Sequence, residues 1–206
     1  MKKEEIKNLV NKPNPTIFEI GCADGKDTIE FINVFGDLKI YCFEPEPKNI
    51  ELVKQTINYS NHFLFEGVIS NVNGKVVFNR SRTDNPTDLS YSGSIKKPKE
   101  HLNEWPFIKF DQEIEVESIT LDSFCEKENI DVIDFIWADV QGAEGDLIIG
   151  GKNTLDTKVR YFYTEYSNKE YYDGQLNLAR IKELLGDNWE IIADYGSDVL
   201  FKNKNL

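Results

Sequence analysis

The chain reads as an α/β fold built on a mostly parallel central sheet. Helices cover both faces and an antiparallel hairpin closes the C-terminus. Three observations predict this. Short apolar, β-branched and aromatic runs alternate with stretches of helical periodicity along nearly the whole chain. The run 132–138 is almost continuously apolar, as expected of a strand covered on both faces. The strand 16–20 breaks at once into a loop holding Gly21 and Gly25, and a helix opens at Lys26. Strand, glycine turn and helix in that order make a nucleotide-type cofactor site.

The elements follow in order. Residues 3–11 place Ile6, Leu9 and Val10 on one helical face, and Pro13 and Pro15 end that helix before the first strand. Residues 1–15 are thus a helix and a lead-in. The helix after Gly25 carries Ile29, Phe31, Ile32 and Phe35, and Gly36 is its C-cap. A second strand at 38–43 runs into Glu44-Pro45, and a helix at 47–59 shows Ile50, Val53 and Ile57 at helical spacing. The third strand is 62–70, with a turn at Asn73-Gly74 that predicts an antiparallel extension through Val76-Val77-Phe78. Residues 79–112 are polar and irregular, and they are expected to form a substrate-side insertion. Alternation resumes at 113–117, and Thr120 caps a helix over 121–128. The fourth main strand, 132–138, ends at Asp139. A helix with Leu147, Ile148 and Ile149 follows, then Gly150-Gly151. A fifth strand at 159–164 leads to Glu165-Tyr166, and a helix from about 176 stops at Leu185-Gly186. Strands at 189–193 and 199–201 flank Gly196 as the terminal hairpin.

Composition sets the limits. At 206 residues a single domain is expected over 1–206. A formal charge of −12 argues against a general nucleic-acid binder. Cys22, Cys42 and Cys125 match no metal spacing, and buried thiols in a reducing compartment are expected. The first residues have no apolar core after them, and no run approaches membrane-span length. A cytoplasmic soluble protein is the expectation. Oligomeric state is not set by the sequence.

Acids stand at the ends of four strands: Glu19, Glu44, Asp139 and Glu165. In an open α/β sheet the ligand crevice lies outside the carboxyl ends of the strands, so the fold gathers these acids. Glu44 lies about twenty residues past the glycine loop, where such folds hold a ribose, and a carboxylate accepts from both ribose hydroxyls. Lys96, Lys97 and Lys99 form a basic cluster. A solvated loop is its plain reading and an anion contact the alternative. His62 is expected to be structural and His101 to lie on the surface. Tyr163, Tyr166, Tyr171, Tyr172 and Trp105 are candidates for the wall of an acceptor pocket, since aromatic faces suit sugar rings.

Four segments carry a family resemblance. Phe18-Glu19-Ile20-Gly21-Cys22-Ala23-Asp24-Gly25 resembles the E/D-x-G-x-x-x-G cofactor motif. Phe43-Glu44-Pro45 resembles the acid after the second strand. Ile119-Thr120-Leu121-Asp122 resembles a T-L-D segment, and Asp139-Val140-Gln141-Gly142-Ala143-Glu144 a D-V-E/Q-G-A-E signature. Ser92-Gly93-Ser94-Ile95, with Ser90 before it, is similar to a small serine-rich segment preceding T-L-D. From about residue 16 onward the chain resembles the FkbM family of class I S-adenosylmethionine-dependent methyltransferases, which have a Rossmann-like fold. One departure is Trp137, two residues before the signature acid, where family members often carry lysine.

The resemblance implies roles. Glu19, Gly21 and Gly25, with Cys22 and Asp24 in the same loop, would shape the methionine end of the cofactor. Glu44, beside Pro45, would take the ribose hydroxyls. Gly67 and Val68 would lie against the adenine, and Asp139 near the sulfonium methyl. The expected reaction is in-line methyl transfer to a hydroxyl of a sugar, glycan or natural product. Orientation can supply roughly 7–11 kcal/mol of such a barrier, and a general base about 10²–10⁴-fold in rate. Asp139 is the first candidate base and Glu165 the second. Holding Mg²⁺ is the alternative role for these carboxylates. Two other readings stand beside this one. A nicotinamide-dependent oxidoreductase would favour G-x-G-x-x-G, which is absent here. A non-catalytic nucleoside-binding module would keep the fold without the reaction.

Overall fold

The computed structural model describes residues 1–85 and 91–206. Ser90 of the serine-rich segment lies outside the described residues. The parallel part of the sheet comprises β1 (Thr16–Ile20), β2 (Lys39–Glu44), β3 (His62–Ile69), β6 (Phe135–Ala138) and β7 (Tyr161–Glu165). Antiparallel strands extend both edges: β4 (Gly74–Arg82) with β5 (Lys109–Ile119), and β8 (Trp189–Asp194) with β9 (Asp198–Asn203). The strand order is β4-β5-β3-β2-β1-β6-β7-β9-β8. The chain winds outward from β1 in one direction and, from β6, in the other. The β1–β6 junction is therefore the switch point where a crevice opens.

Helices α1 (Lys3–Val10), α2 (Lys26–Phe35) and α3 (Pro47–Thr56) cover one face. Ile6, Val10, Phe31 and Val53 pack there against Ile17, Ile40 and Phe135 of the strands. The other face carries α5 (Leu121–Lys127), α6 (Glu144–Gly150), α7 (Lys152–Lys158) and α8 (Leu178–Leu185). Its core is Leu121, Phe124, Leu147, Leu155 and Ile181 over Phe18, Ile20, Phe43 and Phe162. Burying one such aliphatic or aromatic side chain contributes about 1.5–3 kcal/mol. The fold class is as the sequence predicts: mixed α/β, mostly parallel, with the C-terminal hairpin in place.

Two local expectations are corrected and one helix is added. The 79–112 region is less irregular than its composition implies. β4 and β5 reach into it from both ends, and the short α4 (His101–Glu104) lies between. Strand β6 begins at Phe135 rather than at residue 132, because Ile133 makes an isolated bridge to Val159 instead of joining the ladder. Helix α7 is not visible in the hydrophobic pattern, because Leu155 is its one buried apolar residue. A distant cap marks its start: the Asp122 carboxylate accepts from the amides of Asn153 (3.3 Å) and Thr154 (2.7 Å).

That cap gives the T-L-D segment a structural meaning. Thr120 Oγ1 accepts from the Ser123 amide and starts α5. Leu121 is fully buried, and Asp122 starts α7. Gly151 belongs to the same joint, since a Cβ there would lie 2.8 Å from Leu121 Cδ2.

Candidate active site

A cleft of about 700 Å³ opens at the carboxyl ends of β1, β2, β3 and β6. Gly21 forms part of its floor. Its φ is +90°, and a Cβ on it would lie 1.9 Å from the Asp139 carbonyl oxygen. The loop therefore crosses directly over the end of β6, and only glycine fits there. The amides of Gly21 and Cys22 both donate to the Phe43 carbonyl, at 3.0 and 3.1 Å, which ties this loop to the end of β2.

Glu44 stands on the cleft wall. Its Oε2 accepts from the Ala23 amide at 2.9 Å, and its Oε1 from the Glu46 amide (2.9 Å) and Asn49 Nδ2 (3.2 Å). Each carboxylate oxygen carries two lone pairs, so Oε2 keeps one for a further donor. Burial pushes the carboxyl up to about 7, against the pull of these three donors. The next acid, Glu46, caps α3 and forms a two-pronged pair with Arg80 on β4. Gly67, Val68, Ile69, Phe78 and Ile95 give the cleft an apolar side.

Asp139 stands on the wall of the cleft where β1 and β6 part. Its Oδ1 accepts from Gln141 Nε2 at 2.6 Å. Removal from water raises its pKa. The Gln141 amide opposes that, and the acidic neighbours Asp198 and Asp27 add to it. Gln141 is held in turn. Its φ is +51°, its carbonyl accepts from Ser94 Oγ at 2.7 Å, and its Oε1 lies 2.8 Å from the Tyr172 hydroxyl. Gly142 gives Tyr172 its place, since a Cβ on it would meet the Tyr172 Cβ at 2.7 Å.

The signature's last acid, Glu144, is fully buried. Its Oε1 accepts from the Gly142 amide at 3.2 Å, its Oε2 has no partner, and burial raises it to about 7. It fastens the turn from β6 into α6.

Of the residues expected at the cofactor, Gly21, Glu44, Pro45, Gly67, Val68 and Asp139 line the cleft. Glu19 does not. Strand alternation sends Phe18 and Ile20 to one face and Glu19 to the other, beneath α2. There its Oε2 accepts from Thr28 Oγ1 at 2.5 Å, and burial raises its pKa. Cys22 is buried in that same layer. Gly25 also lies off the cleft: it starts α2 at φ +79° and leaves room for Ile57 and Val53. Asp24 sits at the mouth and acts through a neighbour, since the Tyr91 hydroxyl donates to it at 3.0 Å and Tyr91 lines the cleft.

Glu165 lines a second, open cavity of about 1140 Å³ with Trp105, Tyr166, Tyr171 and Tyr172. Burial, together with Asp139, Glu144 and Asp198, pushes its carboxyl up to about 9. His101 is not on the surface, as expected, but buried among Trp105, Phe110 and Tyr172, with Nδ1 unpartnered. Lys96 and Lys99 pair with Asp146 and Glu170, so the basic cluster is largely neutralised within the fold. Trp137 faces away from the cleft. It stacks on Tyr163 at 4.3 Å, and the buried Lys3 ammonium stands 3.2 Å from its ring centroid. No group of three or more His, Cys, Asp or Glu able to hold a metal occurs among the described residues.

Sequence reasoning missed Gln141, Tyr91 and Asn49. Asn49 lies one turn into the helix after Glu44, and that spacing was the available signal. Nothing in the local sequence ties Tyr172 to Gln141.

An open α/β sheet with a glycine-floored cleft at its switch point and an acid at the end of β2 defines a nucleoside-cofactor enzyme of the class I methyltransferase type. Two solved structures share the fold: fibrillarin, a pre-rRNA processing protein of Methanococcus jannaschii (14% identity, TM-score 0.50, covering 94% of this chain and 68% of that one), and the METTL16 methyltransferase domain (9% identity, TM-score 0.50, covering 98% and 66%). The family model described as "Methyltransferase FkbM domain" matches residues 8–199. The chain is 41% identical over 208 residues to the 2-O-methyltransferase NoeI of Sinorhizobium fredii (strain NGR234), covering 98% of this chain and 85% of that protein. The chain belongs to the FkbM methyltransferase family, and its cofactor is S-adenosylmethionine. The cleft fits that group: an apolar side for a purine, a buried carboxylate for a ribose, and a second carboxylate beside a cationic sulfur.

Proposed function

We propose that this S-adenosylmethionine-dependent O-methyltransferase acts on a hydroxyl of a sugar ring, in a glycan or a glycosylated natural product. The observation that carries the reading is Asp139. Its carboxylate lines the cofactor cleft, it accepts a hydrogen bond from the Gln141 side-chain amide, and the charges that act on it, Asp198 and Asp27, are acidic. The similarity to a 2-O-methyltransferase supports the same reading.

S-adenosylmethionine supplies an electrophilic methyl group on a sulfonium. The protein's part is to place a hydroxyl in line with it and to take the hydroxyl's proton. Asp139 serves as that base. Its raised pKa makes it a better proton acceptor than an ordinary aspartate. Its carboxylate would take the hydroxyl's proton and pass it to water, while the bound cofactor would give up its methyl to the hydroxyl oxygen and leave as the neutral thioether. Glu165, raised to about 9, is protonated near neutral pH and is a hydrogen-bond donor rather than a second base. Glu44 binds the ribose, and Gly67 and Val68 border the adenine.

No helix among the described residues is long and apolar enough to cross a membrane. Three free, buried cysteines support a reducing, cytoplasmic setting. The charge of −12 favours a saccharide acceptor over nucleic acid.

The test is methyl transfer from labelled S-adenosylmethionine to neutral saccharides, with the product linkage read by NMR. An O-methyl ether is expected. Transfer only to amines, thiols or carboxylates would overturn the reading. In parallel, S-adenosylhomocysteine at about 100 times its Kd should stabilise the fold by roughly 2.7 kcal/mol, and NAD should not.

A further inference from the structure

The cofactor cleft has a neighbour. Among the described residues the open cavity walled by Trp105, Tyr166 and Tyr171 meets the cleft at one, Gln141, which lines both. Gln141 Nε2 is 2.6 Å from Asp139 Oδ1, so the cavity ends at the acid that borders the cofactor. A group bound in it would reach the reacting end of the cleft, not the adenine end.

Its lining is selective. The rings of Trp105 and Tyr171 stand 5.0 Å apart at 54°, an angled aromatic wall against which the C–H face of a pyranose packs. Gln175 and Ser197 add amide and hydroxyl groups. Among the described residues the one carboxylate in the lining is Glu165, and no lysine or arginine is present in it. Two lysines lie nearby, but both are engaged: Lys169 pairs with Glu104 at 2.6 Å, and Lys99 with Glu170. A uronate or sugar phosphate would thus meet no counter-charge in the lining and none free beside it. The cavity is open to solvent, which leaves room for a ring within a longer chain.

We infer that this cavity is the acceptor subsite and that it binds a neutral sugar ring of an oligosaccharide, with Gln141 as the wall shared with the cofactor. The inference rests on the sugar-hydroxyl reading above and adds to it a location and a charge preference.

The experiment uses the full chain saturated with S-adenosylhomocysteine. A panel of neutral oligosaccharides and their uronate and phosphate counterparts is screened by saturation-transfer difference NMR. The same panel is then used in the labelled-methyl assay. Two variants accompany the wild type. Ser197→Trp fills the cavity from an exposed hairpin position, and Trp105→Leu removes half of the aromatic wall while keeping an apolar contact to His101. Stabilisation by S-adenosylhomocysteine should be the same in all three proteins, which shows that each is folded and loads cofactor. KM for the neutral acceptor should rise about tenfold in Trp105→Leu, and saturation transfer should vanish in Ser197→Trp. Neutral sugars methylated with an unchanged KM in both variants would overturn the subsite while leaving the sugar reading intact. Uronates or phosphates accepted equally well would overturn the charge preference. Transfer to no saccharide at all by the wild type would sink the sugar reading and the subsite with it.

Discussion

The cofactor cleft and the cavity beside it are made by different means. The cleft is largely backbone and short contiguous segments: a glycine loop after β1, an acid after β2 and a signature after β6. Its acid at the end of β2, Glu44, accepts three hydrogen bonds. The cavity is made of side chains brought from 92, 101–108, 165–175 and 196–197. Its acid, Glu165, is shifted by burial and like charges alone. One region is preorganised around a fixed ligand; the other holds unsatisfied groups for a variable one. The cleft should therefore respond to substitution sharply and through geometry, the cavity more gently and through electrostatics.

The largest expected effect lies where the two regions meet. Asp139→Asn keeps size and the Gln141 neighbour but removes the proton acceptor. Turnover should fall by about 10²–10⁴-fold, with S-adenosylhomocysteine affinity within about threefold of wild type. Rate assays and calorimetry check this. Retained turnover would transfer the base to another residue.

Gly21→Ala tests the claim that the cleft is set by backbone geometry. The added Cβ meets the Asp139 carbonyl oxygen at 1.9 Å in a left-handed conformation. Strain and overpacking together should cost about 2–5 kcal/mol. Gly174→Ala is the control at the cavity side of the molecule. Its φ is +75°, but nothing lies within 4 Å of its Cβ position, so only about 1–2 kcal/mol is expected. Equal losses in urea unfolding would break the contrast. Glu44→Gln comes next. An amide turns an N–H toward Ala23 or toward Glu46 and Asn49, all donors already. The lost charge-assisted bonds should weaken S-adenosylhomocysteine by about 1.5–3 kcal/mol.

This division also explains what could be read in advance. Gly21, Glu44 and Asp139 lie in short motifs, each interpretable within a few residues, and the sheet order brings them together. Glu19 departs from its motif's expected place because mid-strand alternation sends Phe18 and Ile20 to one face of the sheet and Glu19 to the other, against Thr28 of α2. His101 was misplaced for a different reason. Its burial comes from Phe110 and Tyr172, and the latter is seventy-one residues away in the chain. Helix α7 escaped notice because its cap, Asp122, is supplied by another helix start thirty-two residues before Thr154. Local patterns carry local structure; the cavity is almost wholly long-range.

The smallest effect is the one that tests the cavity's electrostatics. Glu165 titrates at about 9 in the fold and near its ordinary 4.5 when unfolded. Between those values the folded protein holds one more proton than the unfolded chain. Stability must then fall as pH rises through that window, at up to about 1.4 kcal/mol per unit from this group. The side chain is half-buried, so solvent screening reduces the net effect to roughly 1–2 kcal/mol across pH 5–9. Glu165→Gln removes the proton uptake. The variant should match wild type near pH 5 and be the more stable of the two at pH 9, with Tm measured without ligand. Glu44, raised to about 7, gives the same sign over a narrower window and remains in both proteins, so it cancels in the difference. Parallel Tm curves would mean that Glu165 ionises freely, and the cavity would then present a carboxylate, not a hydrogen-bond donor, to the acceptor at neutral pH.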